Sequence, residues 1–132
     1  MRLDHVGIAV ENIQAALKVY CDSLGFELKE IVDLPEEGVK IARITSRDLE
    51  VELIQPLGEE TPVGRFLKKR GGGIHHLCFS VPQMEQTLGE LKERGLRPIS
   101  APRPGVAGKR IAFFHPKDTL GALIEISEEK EG

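Results

Sequence analysis

The stretch Gly73-Ile74-His75-His76-Leu77-Cys78-Phe79-Ser80-Val81 decides the fold, because it repeats the N-terminal stretch Leu3-Asp4-His5-Val6-Gly7-Ile8-Ala9-Val10. His76 falls on His5 at an offset of 71 residues. After each stretch comes a helical pattern that ends at a glycine. An internal repeat of this kind predicts two copies of one supersecondary unit.

Each half also closes on a strand-like run that carries one glutamate among aliphatic residues. The runs are Val51-Glu52-Leu53-Ile54 and Leu123-Ile124-Glu125-Ile126. The glutamate lies 47 residues after His5 in the first half and 49 residues after His76 in the second. A carboxylate inside an aliphatic strand must face water, pair with a cation or bind a metal. A single such glutamate favours exposure to water, but two at matching places, each with a matching histidine, favour a shared site.

The hydrophobic pattern predicts two β-α-β-β-β modules, over residues 1–57 and 74–128, within one domain of residues 1–132. The predicted strands of the first module span residues 3–10, 26–32, 39–45 and 49–57. Those of the second span residues 74–81, 96–100, 110–114 and 121–127, with a Pro/Gly-rich loop over 101–109. Predicted helices begin after Asn12 and span residues 83–94. A short helix over residues 61–70 and the linker Gly71-Gly72-Gly73 join the modules.

The composition is that of a soluble globular protein, with 40% hydrophobic and 30% charged residues. The formal charge of −3 does not favour nucleic acid or an anionic membrane as a partner. No apolar run is long enough to span a membrane, and the N-terminus lacks the pattern of a signal peptide. We therefore expect a cytoplasmic protein, ordered except at the tail over residues 128–132.

Two imidazoles and two carboxylates form a ligand set that suits a divalent first-row metal ion. Four protein ligands leave two positions open in an octahedral shell. Those positions could chelate a substrate through two oxygens, and the ion would polarise a carbonyl. Adjacent residues on a strand face opposite ways, so only one of His75 and His76 faces the site, and the repeat selects His76. We interpret His75 and His115 as structural or surface histidines.

These residues resemble the vicinal oxygen chelate, or glyoxalase-like, superfamily over essentially the whole chain. Within it, five segments look like the methylmalonyl-CoA epimerase family. They are Asp4-His5-Val6-Gly7-Ile8-Ala9-Val10, Pro35-Glu36-Glu37-Gly38-Val39, Gly73-Ile74-His75-His76, His115-Pro116-Lys117 and Leu123-Ile124-Glu125. The resemblance implies an α+β fold in which two modules form a curled mixed sheet around a metal-binding cavity. It also implies a homodimer that interconverts the (2R) and (2S) epimers of methylmalonyl-CoA.

The resemblance further implies that His5, Glu52, His76 and Glu125 bind a divalent metal, Co²⁺ in first place and Mn²⁺, Ni²⁺ or Zn²⁺ as alternatives. Glu125 would also exchange a proton at C2 of the substrate. Inversion at that carbon needs a second acid or base on the opposite face. Some members of the family carry a glutamate for this role where the present chain has Ile41, so Glu52, Glu37 or a bound water are the candidates. The contacts expected for the CoA phosphates are Lys109, Arg110 and Lys117.

Three other functions compete with this interpretation. A glyoxalase I-like lactoylglutathione lyase has a similar ligand set but acts on a glutathione hemithioacetal. A non-catalytic binding protein of the same fold is disfavoured by the presence of all four ligand residues. An extradiol dioxygenase fits less well, because its metal is bound by two histidines and one glutamate, and Glu52 would be an additional carboxylate.

Overall fold

The computed structural model describes residues 1–105 and 108–129. The predicted loop over 101–109 and the predicted disordered tail therefore lie partly outside the described residues. The strands are β1 (Arg2–Ala9), β2 (Glu27–Leu34), β3 (Val39–Ser46), β4 (Leu49–Pro56), β5 (Gly73–Val81), β6 (Arg103–Pro104), β7 (Arg110–Phe114) and β8 (Leu123–Glu128). The α-helices are α1 (Ile13–Leu17), α2 (Pro62–Arg70) and α3 (Met84–Glu93). None of the helices in this part of the chain is long and apolar enough to cross a membrane.

The chain forms two compact units, one of residues 5–75 and one of residues 1–4 with the chain from residue 76 on. In the first unit the strand order is β2-β3-β4-β1, with β1 parallel to β4 and the other neighbours antiparallel. In the second unit the order is β6-β7-β8-β5, with β5 parallel to β8 and the other neighbours antiparallel. The α+β fold class and the repeated β-α-β-β-β topology are therefore confirmed.

The sheet of the first unit carries a buried apolar cluster on each face. One face packs against α1 through a cluster of buried residues, Ile13, Ala16, Ala42, Ile44, Val51 and Leu53. The other face packs against α2 through a second cluster, Ala9, Val39, Ile54, Val63 and Leu67. Because side chains alternate along a strand, β3 and β4 each supply residues to both clusters. Glu52 lies two residues before Ile54 on β4 and therefore projects from the face of the second cluster.

The core of the second unit lies between α3 and its sheet. Its buried members are Val81, Met84, Ala112, Phe114 and Ile126. Leu88 and Leu91 extend this core along the apolar stripe of α3. Phe114 and Met84 are both completely buried, so they carry much of the packing between the helix and the sheet.

Helix α1 begins at the residue that the sequence indicates, but its α-helical part ends at Leu17, before the predicted end at Gly25. Asn12 is its N-cap, and the Asn12 Oδ1 atom accepts a hydrogen bond from the Ala15 N–H at 2.8 Å. The helix continues as a π-helical segment over Lys18–Ser23. Gly25 then adopts a φ of +84°, a left-handed conformation that terminates helices and suits glycine.

In each module a side chain at the end of the last strand accepts a hydrogen bond from the first backbone N–H of a helix. Gln55 Oε1 at the end of β4 accepts a hydrogen bond from the Ile13 N–H at 2.8 Å. Glu128 Oε2 at the end of β8 accepts one from the Met84 N–H at 2.7 Å. Gln55 and Glu128 each lie three residues after the glutamate of the repeat. The repeat therefore preserves a long-range helix cap that the sequence analysis did not identify.

The strand predicted over residues 96–100 is wrong. These residues form no strand, and β6 lies instead at Arg103–Pro104, inside the predicted loop. Proline has no N–H to give to a ladder, and Pro98 stands in the middle of this segment. The Ile99 N–H still donates to the Phe113 carbonyl oxygen at 2.8 Å, so one isolated bond remains where a strand was expected.

Candidate metal and active site

The first histidine and glutamate of the repeat lie side by side on neighbouring strands. β1 and β4 are parallel, and Gly7 is the register partner of Glu52. His5, two residues before Gly7, projects from the same face. The His5 Nε2 atom is 3.3 Å from Glu52 Oε1, with 10% of the His5 side chain and 22% of the Glu52 side chain exposed. The pair is therefore largely withdrawn from water.

The second unit repeats this arrangement. β5 and β8 are parallel, and Cys78, two residues after His76, is the register partner of Glu125. The His76 Nε2 atom is 3.7 Å from Glu125 Oε1, with 9% and 15% of the two side chains exposed. The structure thus brings the four predicted ligand residues together as two matching pairs, His5 with Glu52 and His76 with Glu125.

Each pair fits the binding of a divalent metal ion. Ligands at about 2.1 Å from an ion are about 3 Å apart when they are adjacent in its shell. The separations of 3.3 Å and 3.7 Å within the pairs are close to that value. Imidazole nitrogen and carboxylate oxygen are donors that the divalent metals from manganese to zinc accept.

A third carboxylate, which sequence analysis missed, adjoins the first pair. One oxygen of Glu50 lies within 4.8 Å of the ligand atoms of both His5 and Glu52. Glu50 is two residues before Glu52 on β4, so both side chains project from one face. The alternation Glu50-Val51-Glu52 could have identified Glu50 from the sequence. It does not single this residue out, because an acidic residue next to a site usually faces water.

Arg43 of β3 forms an ion pair with the Glu50 carboxylate. It is the register partner of Glu52, and its Nη1 atom is 3.0 Å from Glu50 Oε1. Its Nε atom is 3.4 Å from an oxygen of Glu30 on β2. The hydrogen bond to Glu50 raises the pKa of Arg43 further, although burial opposes that shift. Arg43 thus bridges two carboxylates on the face of the His5–Glu52 pair.

The two remaining histidines make contacts that agree with structural roles. The His75 ring packs edge-on against the Phe66 ring, with centroids 4.9 Å apart. Burial lowers the pKa of His75, so the neutral imidazole is favoured there. His115 is exposed, and its Nδ1 atom accepts a hydrogen bond from the Lys117 N–H at 3.0 Å.

The residues expected at the CoA phosphates lie on the second unit. Lys109 and Arg110 are half-buried and line a groove of about 330 Å³, and Lys117 is exposed. Arg110 forms an ion pair with Glu85, whose hydrogen bond raises the pKa of Arg110. A larger groove of about 450 Å³ runs along α3 and contains none of the predicted site residues.

Two further residues bear on the second acid or base. Ile41 is half-buried and packs against the cluster of Ala9, Val39, Ile54, Val63 and Leu67. Its side chain therefore belongs to an apolar environment and offers no proton donor or acceptor. Glu37 lies in an exposed 3₁₀ turn, Pro35–Glu37.

Comparison with known proteins identifies the family. Residues 4–113 match the family model of the glyoxalase/bleomycin resistance protein/dioxygenase superfamily, and the chain belongs to that superfamily. It is 41% identical over 130 residues to the ethylmalonyl-CoA/methylmalonyl-CoA epimerase of Cereibacter sphaeroides, covering 96% of this chain and 97% of the relative. More narrowly, therefore, it belongs to the methylmalonyl-CoA epimerase family, and the resemblance drawn from its motifs is confirmed.

Solved structures agree with this membership. The crystal structure of methylmalonyl-CoA epimerase from Mycobacterium tuberculosis superposes with a TM-score of 0.87 at 35% identity, covering 98% of this chain and 89% of that one. A methylmalonyl-CoA epimerase in complex with methylmalonyl-CoA and NH₄⁺ has a TM-score of 0.84 at 33% identity, covering 97% of this chain and 94% of that one.

Proposed function

We infer that this chain is an isomerase that interconverts the (2R) and (2S) epimers of methylmalonyl-CoA. The observation that carries this inference is similarity to epimerases of that substrate over almost the full length of both chains. The two His–Glu pairs supply the polar groups that proton transfer at C2 requires. A carbon acid beside a thioester loses its proton slowly in water, because the negative charge that develops on the carbonyl oxygen is poorly stabilised.

The proposal includes one metal site made by His5, Glu52, His76 and Glu125. Each pair alone offers two donors, whereas catalytic sites for such ions use at least three protein ligands. Two pairs with the same donors and the same strand positions make a complete set of four. When bound, a divalent ion would supply Lewis-acid stabilisation of the charge on the substrate's carbonyl oxygen. We propose Co²⁺ first, with Mn²⁺, Ni²⁺ or Zn²⁺ as alternatives.

Glu125 is the proposed acid or base for one face of C2. Its carboxylate is mostly shielded from water and lies on a strand that is paired on both sides, which limits its movement. A positioned carboxylate can take or give the C2 proton on its own face only, so inversion needs a second group that gives or takes a proton on the opposite face. Ile41 cannot be that partner, so Glu52, Glu37 or a bound water stay the candidates.

Binding of CoA is proposed at Lys109, Arg110 and Lys117. Their positive charges suit phosphate groups, and Arg110 would exchange its present carboxylate partner, Glu85, for a phosphate. The name of the Cereibacter sphaeroides relative includes ethylmalonyl-CoA. Ethylmalonyl-CoA is therefore the second substrate to test. A homodimer in the cytoplasm completes the proposal, and light scattering of the purified protein would measure the oligomeric state.

The test of the reaction follows deuterium from solvent into C2 of methylmalonyl-CoA by NMR, with and without a chelator. We expect rapid, chelator-sensitive exchange with loss of stereochemistry at that carbon. Folded, metal-loaded protein that gives no exchange would contradict the epimerase, and a glutathione hemithioacetal would then be the next substrate to try.

The ligand set has a test of its own. His5→Ala and His76→Ala should each lower the metal content measured by elemental analysis, because each removes one of four donors. His115→Ala is the matched control, since this histidine is exposed and outside the pairs. A full complement of metal in either ligand variant would exclude that histidine from the set.

A further inference from the structure

Arg43 and Glu50 form an ion pair on the face of the sheet that carries the proposed metal ligand Glu52. Neither residue has a role in the epimerase reaction proposed above. Arg43 faces Glu52 directly across the β3–β4 ladder. Residues directly opposite on antiparallel strands project from the same face. The Arg43 side chain therefore projects from the same face of the sheet as the His5–Glu52 pair and Glu50.

The Glu50 carboxylate lies near enough to the pair to become a metal ligand. Its oxygen is within 4.8 Å of the ligand atoms of His5 and Glu52. Two ligands on opposite sides of one ion are about 4 Å apart, because each bond is about 2.1 Å long. A small rotation of the Glu50 side chain would bring it to such a distance.

Ligation by Glu50 would harm a site of this kind. Two glutamates neutralise a divalent ion, and a third carboxylate would leave the centre with a net negative charge. It would also fill one of the two positions that four ligands leave open. The substrate carries a carboxylate and the CoA phosphates, so a more negative and more crowded centre would bind it less well.

We propose that Arg43 is a positioning residue that holds the Glu50 carboxylate away from the metal ion. Its two hydrogen-bonding arms reach Glu50 at 3.0 Å and Glu30 at 3.4 Å, so the guanidinium is itself held from both sides. With Glu50 engaged, this half of the protein contributes only His5 and Glu52 to the ion. The inference rests on the metal site proposed above.

The experiment measures Co²⁺ binding to metal-free protein by competition with a chelator, together with the visible absorption of the bound Co²⁺. We expect Arg43→Met to raise the affinity for Co²⁺ about tenfold and to change the absorption bands, because a further carboxylate enters the shell. The KM for methylmalonyl-CoA should rise more than kcat falls. Arg43→Lys, which keeps a cation, should give a smaller change.

A second substitution isolates Glu50. The double variant Arg43→Met with Glu50→Gln should return the Co²⁺ affinity and spectrum to those of the wild type, since the competing carboxylate is gone. Arg65→Met is the matched control, because Arg65 is exposed and bonds to a backbone carbonyl rather than to a carboxylate near the site.

The outcomes separate this inference from the proposed function. If wild-type protein binds Co²⁺ and Arg43→Met binds it no more tightly, the positioning role is overturned and the metal site stands. A loss of affinity in Glu50→Gln as large as that in Glu52→Gln would make Glu50 a ligand already, and would overturn it equally. Wild-type protein that binds no metal would overturn the metal site and this inference with it.

Discussion

Removal of the Glu128 side chain tests whether the long-range cap holds α3 on its sheet. Glu128→Ala deletes the acceptor of a 2.7 Å bond from the Met84 N–H, at the first residue of the helix. Gln83, the N-cap residue, makes no capping bond with its own side chain. The substitution would leave the backbone N–H of Met84 unpaired, and the side chain of this residue is completely buried.

The magnitude follows from the type of bond and its surroundings. A hydrogen bond to a charged group contributes about 1.5–3 kcal/mol, and loss of a helix cap costs about 0.5–2 kcal/mol. Because Glu128 is partly exposed, water can replace some of the interaction, and we expect a loss of about 1.5 kcal/mol. The melting temperature should fall by about 5 °C. Glu128→Gln, which keeps an oxygen acceptor without the charge, should lose about half as much.

Urea denaturation followed by circular dichroism measures the change, with the midpoint lowered and the slope unchanged. Glu129→Ala is the control, because the Glu129 side chain is exposed and the hydrogen bond from this residue to the Val81 carbonyl comes from its backbone N–H and does not involve the side chain. That variant should stay within about 0.5 kcal/mol of wild type. Equal stability of Glu128→Ala and Glu129→Ala would refute the reasoning.

Three further substitutions test the site and the core. Glu125→Gln should lower the rate of deuterium exchange at C2 by at least about 100-fold. Its melting temperature should change little, since amide and carboxylate have similar volumes. An exchange rate in this variant equal to that of the wild type would remove Glu125 from the mechanism. Phe114→Ala should cost about 3–5 kcal/mol in urea denaturation, because the ring is completely buried, and a loss below about 1 kcal/mol would mean that the core closes around the cavity. Burial lowers the pKa of His75, so the unfolded chain takes up its proton first as the pH falls. The stability that neutral His75 contributes is thus complete above the unfolded pKa of about 6.5 and is lost as the pH falls below it. Between about pH 7.5 and pH 5.5 the urea midpoint of the wild type should therefore drop more than that of His75→Gln. Midpoints that fall in parallel would contradict this.

The elements that the sequence predicts well are those with a local signal. The helical segment after Asn12 depends on contacts within a few residues. Its N-cap and the left-handed Gly25 that follows it are found where expected, although its second half, Lys18–Ser23, is π-helical. The strand predicted over 96–100 was wrong, because its pairing depends on a partner more than ten residues away and Pro98 lacks one of the N–H donors. A pattern that is local in sequence cannot report which segment will complete a ladder.

The site shows the same division. Matching His–Glu spacing in the two halves predicted the pairs His5 with Glu52 and His76 with Glu125, because period-two alternation sets the face on which each side chain lies. The separations of 3.3 Å and 3.7 Å then follow from parallel pairing of the first and last strands of each module.

By itself, the sequence determined the repeat, the order of helices and strands within each module and the identity of the four residues in the pairs. Only the tertiary structure decided that Arg43 engages Glu50 and that Gln55 and Glu128 cap helices. The physical reason is register. Ile13 and Gln55 are 42 residues apart, as Met84 and Glu128 are 44 apart, and only the pairing of the strands in the folded sheet brings such residues to hydrogen-bonding distance.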